Sequence, residues 1–476
     1  MLTPEEIQRF IDEDAVSQKK RKAQEGQNYY EGKHDILNYQ LFYYNTDGQL
    51  VPDKTRSNIK IPHPFFTELV DQQVQYMMSG KDAFIKSDTE GLQPLLDEYF
   101  NENDDFKAEL QEVLTGTAAK GFEYMYAYRN KEGKLAFQCA DSMGVIEAEA
   151  KYTSDGKDYV IYWYTERINK DKELVKRIQV WDDAQTWYYT QTGEGKIELD
   201  PEKPNPRPHV LYHKTNDDNT YYEGLGFIPF FRLDNCKKQH NNLKPIKALI
   251  DDYDLMACGL SNNLQDASEY VLVVKGYEGE DDLGKLQTNI KTKKTVAVGE
   301  GGDFDFKTVS IPHDARKVKL ELDEKNIYRF GMGFNSAQLG DGNVTNIVIK
   351  SRYALLDLKS NKLEIRLKQF LKKIIKVVIE EINKENNTGY QVKDVYFNFE
   401  REIMTNASDN ATIAKTEAEI EQIRINTFLN LATIIGDEEV LKLICEVLDI
   451  DYEEMKDKVP DKEGLDDFNN LEDLNE

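Results

Sequence analysis

One stretch of this chain, residues 343–388, contains neither proline nor glycine. Its apolar residues recur at steps of three, four or seven, as on one face of a helix. They are Ile349, Tyr353, Leu356, Leu363, Leu367, Phe370, Ile374, Val378 and Ile382. At about 1.5 Å per residue, a helix over 345–383 alone would span roughly 55 to 60 Å, which is long for a globular core. The pattern favours a rod that takes part in assembly, and the alternative is an ordinary long helix of a helical enzyme.

A second helix and a glycine-rich connection precede this rod. Residues 314–328 follow Pro312 and contain no helix breaker, so a helix ending near Gly331 is predicted. Gly331, Gly333, Gly340 and Gly342 then interrupt the chain. Because glycine favours conformations outside the helix, we expect a flexible loop here.

Composition limits the classes of function. With 476 residues, 39% of them hydrophobic, the chain can bury a large core, arranged in about two to four sub-domains. There is no apolar run of membrane-spanning length, and residues 1–13 are acidic, so we expect neither a membrane span nor a signal peptide, and synthesis in the cytosol. A net charge of −26 argues against tight binding to a phosphate backbone, so DNA would be a transient partner.

No motif for catalysis, cofactor or metal binding stands out. The four cysteines and six histidines lack metal-ligand spacing, and His34 and His63 are expected to form hydrogen bonds in the core. Residues 279–285 match the first seven positions of a phosphate-binding loop, but Leu286 cannot bind magnesium and three acids would repel phosphate. We therefore expect no enzyme, cofactor or metal site.

The amino-terminal half mixes helices with strands. Residues 3–25 resemble one amphipathic helix starting at Thr3-Pro4, with Lys19-Lys20-Arg21-Lys22 as its solvated face. Residues 69–80 predict a helix ended by Gly80, and 109–120 another. A hairpin is predicted over 121–139, antiparallel strands over 159–168, 174–181 and 186–190, and a proline-rich linker over 201–208.

Three sequence elements carry a resemblance to a known family. They are Tyr29-Tyr30-Glu31-Gly32-Lys33-His34, then Ser57-Asn58-Ile59-Lys60-Ile61-Pro62-His63-Pro64-Phe65-Phe66, then the helix Leu69-Val70-Asp71-Gln72-Gln73-Val74-Gln75-Tyr76. This order resembles the amino-terminal part of phage portal proteins of the SPP1 type. The resemblance continues across nearly the whole chain.

The resemblance implies an α+β portal-like fold with an antiparallel wing sheet, two stem helices, a clip insert, a very long wing helix and a helical crown. Its parts would be wing 1–242, stem helix 243–269, clip 270–311, stem helix 312–333, tunnel loop 334–345, long helix with a return strand 346–404, and crown 405–476. The clip would hold strands at 270–275, 294–298 and 304–311 around a helix at 283–292. The acidic end of the crown is expected to be disordered.

The resemblance also implies a function and partners. A homo-oligomeric ring, expected to be dodecameric, would occupy one vertex of a phage or prophage capsid in the virion, after assembly in the bacterial host cytoplasm. Double-stranded DNA would pass through its channel, driven by a separate terminase. Further partners would be a head-completion adaptor protein at the clip, scaffolding and major capsid proteins at the wing, and no membrane. The alternative is a cytosolic α+β enzyme or nucleic-acid-processing factor.

Site residues follow from these expected positions. The candidates for contact with channel DNA are Asn335, Gln338, Asn343, Thr345, Lys317, Lys319, Lys325 and Arg329. The candidates for partner contacts at the clip are Lys285, Lys291, Lys293 and Lys294. Helical periodicity spreads the basic residues of 312–333 over more than one face, so only one or two of them are expected to face inward.

Overall fold

The computed structural model describes residues 1–45, 47–54, 56–130, 133–168, 173–213, 220–223, 225–266, 271–275, 303–307, 313–335, 346–402, 407–448 and 450–456. The helices are α1 Pro4–Ala15, α2 Gln18–Tyr30, α3 Phe65–Met77, α4 Leu92–Leu96, α5 Asp104–Lys120, α6 Lys247–Asp266, α7 His313–Gly331, α8 Asn346–Asn386, α9 Ala407–Ile435, α10 Asp437–Val447 and α11 Tyr452–Met455. Together with the sheets below, they confirm an α+β chain. Two compact units result, 1–338 with 353–402, and 339–352 with 403–476.

The predicted amino-terminal helix is two helices. Thr3 caps α1 in a capping box with Glu6, as expected, but the helix ends at Ala15 and Ser17 caps a new one. The break buries Lys20, which pairs with Asp14 at 2.9 Å and donates to three main-chain carbonyls between Ser142 and Val145. The expectation of a solvated lysine face was therefore wrong for Lys20, because a buried ammonium is tolerated only with such partners.

Two antiparallel sheets lie in the first unit. Their strands are β4 Phe122–Arg129, β5 Leu135–Ala140, β6 Val145–Ala148, β7 Tyr159–Ile168, β8 Glu173–Trp181, β9 Gln185–Thr192, β10 Glu198–Leu199, β11 Arg207–Pro208 and β14 Phe230–Asp234. One sheet has the order β10-β9-β8-β7-β6, with β11 also on β9, and the other has the order β14-β4-β5. The predicted hairpin and three strands are confirmed, and the linker adds β11 to the sheet edge.

The described residues also form four two-stranded ribbons. They are β1 Phe42–Tyr44 with β2 Leu50–Pro52, β3 Ile85–Lys86 with β17 Tyr396–Phe397, β12 Val210–His213 with β13 Thr220–Glu223, and β15 Val271–Lys275 with β16 Asp303–Lys307. The predicted strand at 294–298 and helix at 283–292 lie outside the described residues. The predicted return strand is only two residues long and pairs with β3, not with the large sheet.

Helix α8 confirms the strongest prediction. It has 41 residues, and its stripe from Leu363 to Ile382 is buried in the main core. Arg401 from the returning chain donates to Asp357 and Asn361 on α8, each at 2.6 Å. The apolar residues whose spacing predicted the helix thus form the face of α8 that is buried in the first unit.

Gly80 has a different role from the one predicted. Helix α3 ends at Met77, and Gly80 does not cap it. A Cβ at Gly80 would lie 2.5 Å from the carbonyl oxygen of Glu400. This glycine therefore allows the returning chain to pass close by.

The second unit contains α9 and α10, within residues 405–476, where helices were expected. The acidic end beyond residue 456 lies outside the described residues. Among the helices described, none is long and apolar enough to cross a membrane.

Candidate functional site

Helices α6 and α7 pack against each other, and α7 carries the four basic candidates that the structure describes. Lys319 of α7 pairs with Asp252 of α6 at 2.5 Å and also with Asp323. Its ammonium is therefore engaged between the two helices. Lys319 is thus a poor candidate for contact with DNA.

The other three basic candidates on α7 do not all lie on one face. Lys317 is exposed and lies 4.0 Å from Glu321. Lys325 and Arg329 are exposed, one helical turn apart, on the side of α7 away from the buried Asp323 and Ile327. The four candidates therefore lie on more than one face of α7, and Lys325 and Arg329 share one of these faces. Which of them face inward stays a prediction.

Residues 57–63, which we call the strap, run along α6 in the opposite direction. The backbone N–H groups of Ser57, Ile59, Ile61 and His63 donate to side chains of Asp266, Asn262, Cys258 and Asp254, at 3.2, 2.7, 3.2 and 2.9 Å respectively. Four helical residues rise about 6 Å, and two extended residues span about 6.6 Å. Because these two distances are similar, the N–H groups of alternate strap residues meet side chains from successive turns of α6.

Asp254 is the most deeply buried member of this ladder. One carboxylate oxygen lies 2.7 Å from His63 Nδ1, and the other lies 2.7 Å from Nδ1 of the buried His34. Burial opposes ionisation, but the hydrogen bonds from His34 and His63 leave the pKa of Asp254 lowered. Both histidines thus have the core hydrogen-bonding role that the sequence predicted.

The end of α7 and the residues after it pack closely on α3. A Cβ at Gly333 would lie 2.0 Å from Leu69 Cδ2, and one at Gly331 would lie 2.6 Å from Leu69 Cδ1. Phe334 exchanges two hydrogen bonds with Gln72 of α3, at 2.7 and 3.0 Å, and its ring stacks on Tyr353. The expectation of flexibility was therefore wrong for these two glycines, which allow close packing on α3.

Three polar contacts reinforce this anchor. Tyr328 donates to Glu68 at 2.5 Å, and Asn335 donates to Glu324 at 2.8 Å. Lys359 of α8 donates to the carbonyl of Gly331 at 3.0 Å, and burial lowers the pKa of this lysine to about 8. Asn335, the first predicted loop contact, is therefore held against α7.

The remaining predicted site residues lie outside the described residues. They are Gln338, Asn343, Thr345, Lys285, Lys291, Lys293 and Lys294. In the part of the chain that is described, no cluster of three or more His, Cys, Asp or Glu residues is arranged to hold a metal ion.

Sequence reasoning missed the strap ladder and the α3 anchor. A signal for the ladder was present, because Asp254, Asn262 and Asp266 place polar groups at helical spacing on α6 while Ser57, Ile59 and Ile61 alternate in the chain. The role of Leu69 against Gly333 left no such signal, since it depends on the distance between two distant segments.

Helices α6 and α7 thus form a pair held to the amino-terminal α+β region by an extended strap and a close-packed turn. Comparison with known proteins gives the family of this chain. The family model "Phage portal protein, SPP1 Gp6-like" matches residues 10–456. The chain belongs to this family of phage portal proteins, which is a structural, non-enzymatic family.

Two relatives show how far the similarity extends. The portal protein of Bacillus phage SPP1 is 27% identical over 371 residues, which cover 77% of this chain and 70% of that protein. The portal protein of Clostridium phage phiCD119 is 26% identical over 490 residues, covering 98% of this chain and 99% of that protein. The function is thus that of a phage portal protein, a virion component of the head-to-tail connection, and the alternative of a cytosolic enzyme is set aside.

Proposed function

We propose that α6 and α7 are the two stem helices of a dodecameric portal ring and that residues 334–345 form its tunnel loop. The observation that carries this proposal is the anchor at residues 331–335. Gly331, Gly333 and Phe334 fix the end of α7 on α3, so the chain leaves the helix pair from a defined point. Loops that bind other molecules are commonly positioned by a rigid scaffold, and this anchor would supply one for the tunnel loop.

Double-stranded DNA passes through the channel of this ring, inward during packaging by a separate terminase and outward during ejection. Lys325 and Arg329 form a weak guiding pair on α7, because they share one face and lie away from the α6 contact. We leave Lys319 out of this pair, because its ammonium is bound by Asp252 and Asp323. With a net charge of −26, the protein repels phosphate overall, so DNA can slide without being held.

The remaining parts follow the portal plan. The two sheets and α8 belong to the wing, near scaffolding and major capsid proteins, and α9 and α10 belong to the crown. Residues 270–311 form the clip, where Lys285, Lys291, Lys293 and Lys294 contact the terminase and later a head-completion adaptor. The ribbon β15–β16 supports this assignment, because an isolated two-stranded ribbon is marginally stable and requires neighbours. The ring assembles in the host cytoplasm and remains at the portal vertex.

The experiment that tests this proposal replaces residues 335–343 with a shorter Gly-Ser linker. Ring formation is measured by negative-stain microscopy, and packaging by the amount of nuclease-protected DNA. We expect intact rings with impaired packaging, because the linker leaves Gly331, Gly333 and Phe334 in place. Normal packaging by this variant would overturn the tunnel-loop assignment, and the matched control, Gly389→Ala, should package normally because a Cβ there meets nothing within 4 Å.

A further inference from the structure

The ribbon β1–β2 presents an apolar face that the described part of the chain leaves uncovered. Phe42 pairs with Pro52, and Tyr44 with Leu50, so these four side chains project to the same side. Phe42, Tyr44 and Leu50 are 53%, 73% and 57% exposed, and Pro52 is also exposed. Such a short ribbon is marginally stable alone, so a partner surface for this face is expected.

The base of the ribbon is fixed to α6. Asn58 of the strap donates to the carbonyl of Tyr39, just before β1, at 3.2 Å, and Lys60 donates to that of Leu37 at 3.0 Å. Ser57, five residues after β2 ends at Pro52, donates from both its backbone and its hydroxyl to Asp266. The ribbon is therefore held at the carboxyl-terminal end of α6, with both of its ends attached to the strap.

A second apolar stripe lies on the other side of the same helix. Leu264 is exposed and Leu260 half-buried, four residues apart. Each follows a strap-binding residue, Asn262 or Cys258, by two positions, a rotation of about 200° around the helix. The stripe therefore points away from the strap, and it occupies the same end of α6.

Resting on the proposed ring, we propose that the ribbon face of one subunit docks on the Leu260–Leu264 stripe of the next subunit. A closed ring joins identical copies head to tail, through two different patches. Rotation about the ring axis keeps equivalent residues at the same height, so patches at the same end of α6 can meet. An apolar contact also suits copies that each carry a charge of −26 and repel one another.

The first test compares three single variants by native mass spectrometry and sedimentation. Tyr44→Glu and Leu264→Glu should each lower the ring-to-monomer ratio at least about tenfold at equal concentration, because each places a charge in an apolar contact. Tyr152→Glu, at an equally exposed aromatic residue outside both patches, should assemble normally. Circular dichroism melting of the monomers checks that all three variants fold.

The second test locates the contact directly. A photo-crosslinking amino acid replaces Tyr44, and this protein is assembled with an excess of ¹⁵N-labelled chains. We expect the crosslinked peptide to be a labelled one that contains Leu264. Crosslinks confined to the unlabelled chain itself, crosslinks to a different segment of the neighbour, or normal rings from Tyr44→Glu would each overturn this docking, while the assignment as a portal protein would stand.

Discussion

Helices α6 and α7 lie side by side, yet they are held by different kinds of contact. The strap holds α6 along its length through repeated hydrogen bonds from the backbone. By contrast, α7 is held at its end by steric fit, where Gly331 and Gly333 pack on Leu69. Helix α6 is thus held by several hydrogen bonds that can be removed one at a time. Helix α7 is held at its end by a few close contacts, and one added methyl group there would disrupt the packing.

The largest expected effect tests the buried end of the strap ladder. Asp254→Ala should destabilise the folded subunit by about 3–5 kcal/mol, because His34 and His63 would lose their shared buried acceptor. Chemical denaturation of the monomer measures this change. Asp252→Ala is the control, and it should cost under about 1 kcal/mol because its ion pair with Lys319 is partly exposed. Equal losses for both variants would remove Asp254 as the centre of the ladder.

The next effect concerns the end of α7. Gly333→Ala should destabilise the subunit by about 2 kcal/mol, since its Cβ would overlap Leu69. In a chain that already carries Leu69→Ala, Gly333→Ala should cost less, because the side chain that its Cβ would overlap has been removed. A double-mutant cycle measures this coupling. If the two changes were simply additive, the close packing would not be what fixes this turn.

The smallest expected effect comes from removing one hydrogen bond between the strap and α6. Asn262→Ala should cost about 1 kcal/mol and should increase amide hydrogen exchange at Ile59, whose N–H donates to Asn262. Exchange at the buried core of α8 should be unchanged, which serves as the internal control. Unchanged protection at Ile59 would show that the strap does not depend on this hydrogen bond.

Sequence reasoning succeeded where a repeating pattern was long enough. The stripe of α8 and the alternation in β7, β8 and β9 were predicted because each repeat is buried on one face. It failed where one contact decided the outcome. Ser17 divides the first helix and Lys20 is buried by carbonyls from residues 142–145, a tertiary contact that local composition does not encode.

The candidate site shows the same limit. The positions of the basic residues on α7 followed from helical periodicity, so the division into faces could be predicted. Which lysine pairs with Asp252, and why Gly333 is a glycine, depend on segments far away in the chain. These are distances between elements, and periodicity within one element carries no information about them.

The most direct test of the central claim is photo-crosslinking between the assembled protein and DNA during packaging. A photo-crosslinking amino acid replaces Gln338 in one variant and Tyr152 in another, and covalent protein–DNA adducts are quantified after illumination. If residues 334–345 touch the moving duplex, the Gln338 variant should give abundant adducts that require terminase and ATP, and the Tyr152 variant should give only background. Equal, background-level adducts from both variants in rings that package DNA would contradict the account.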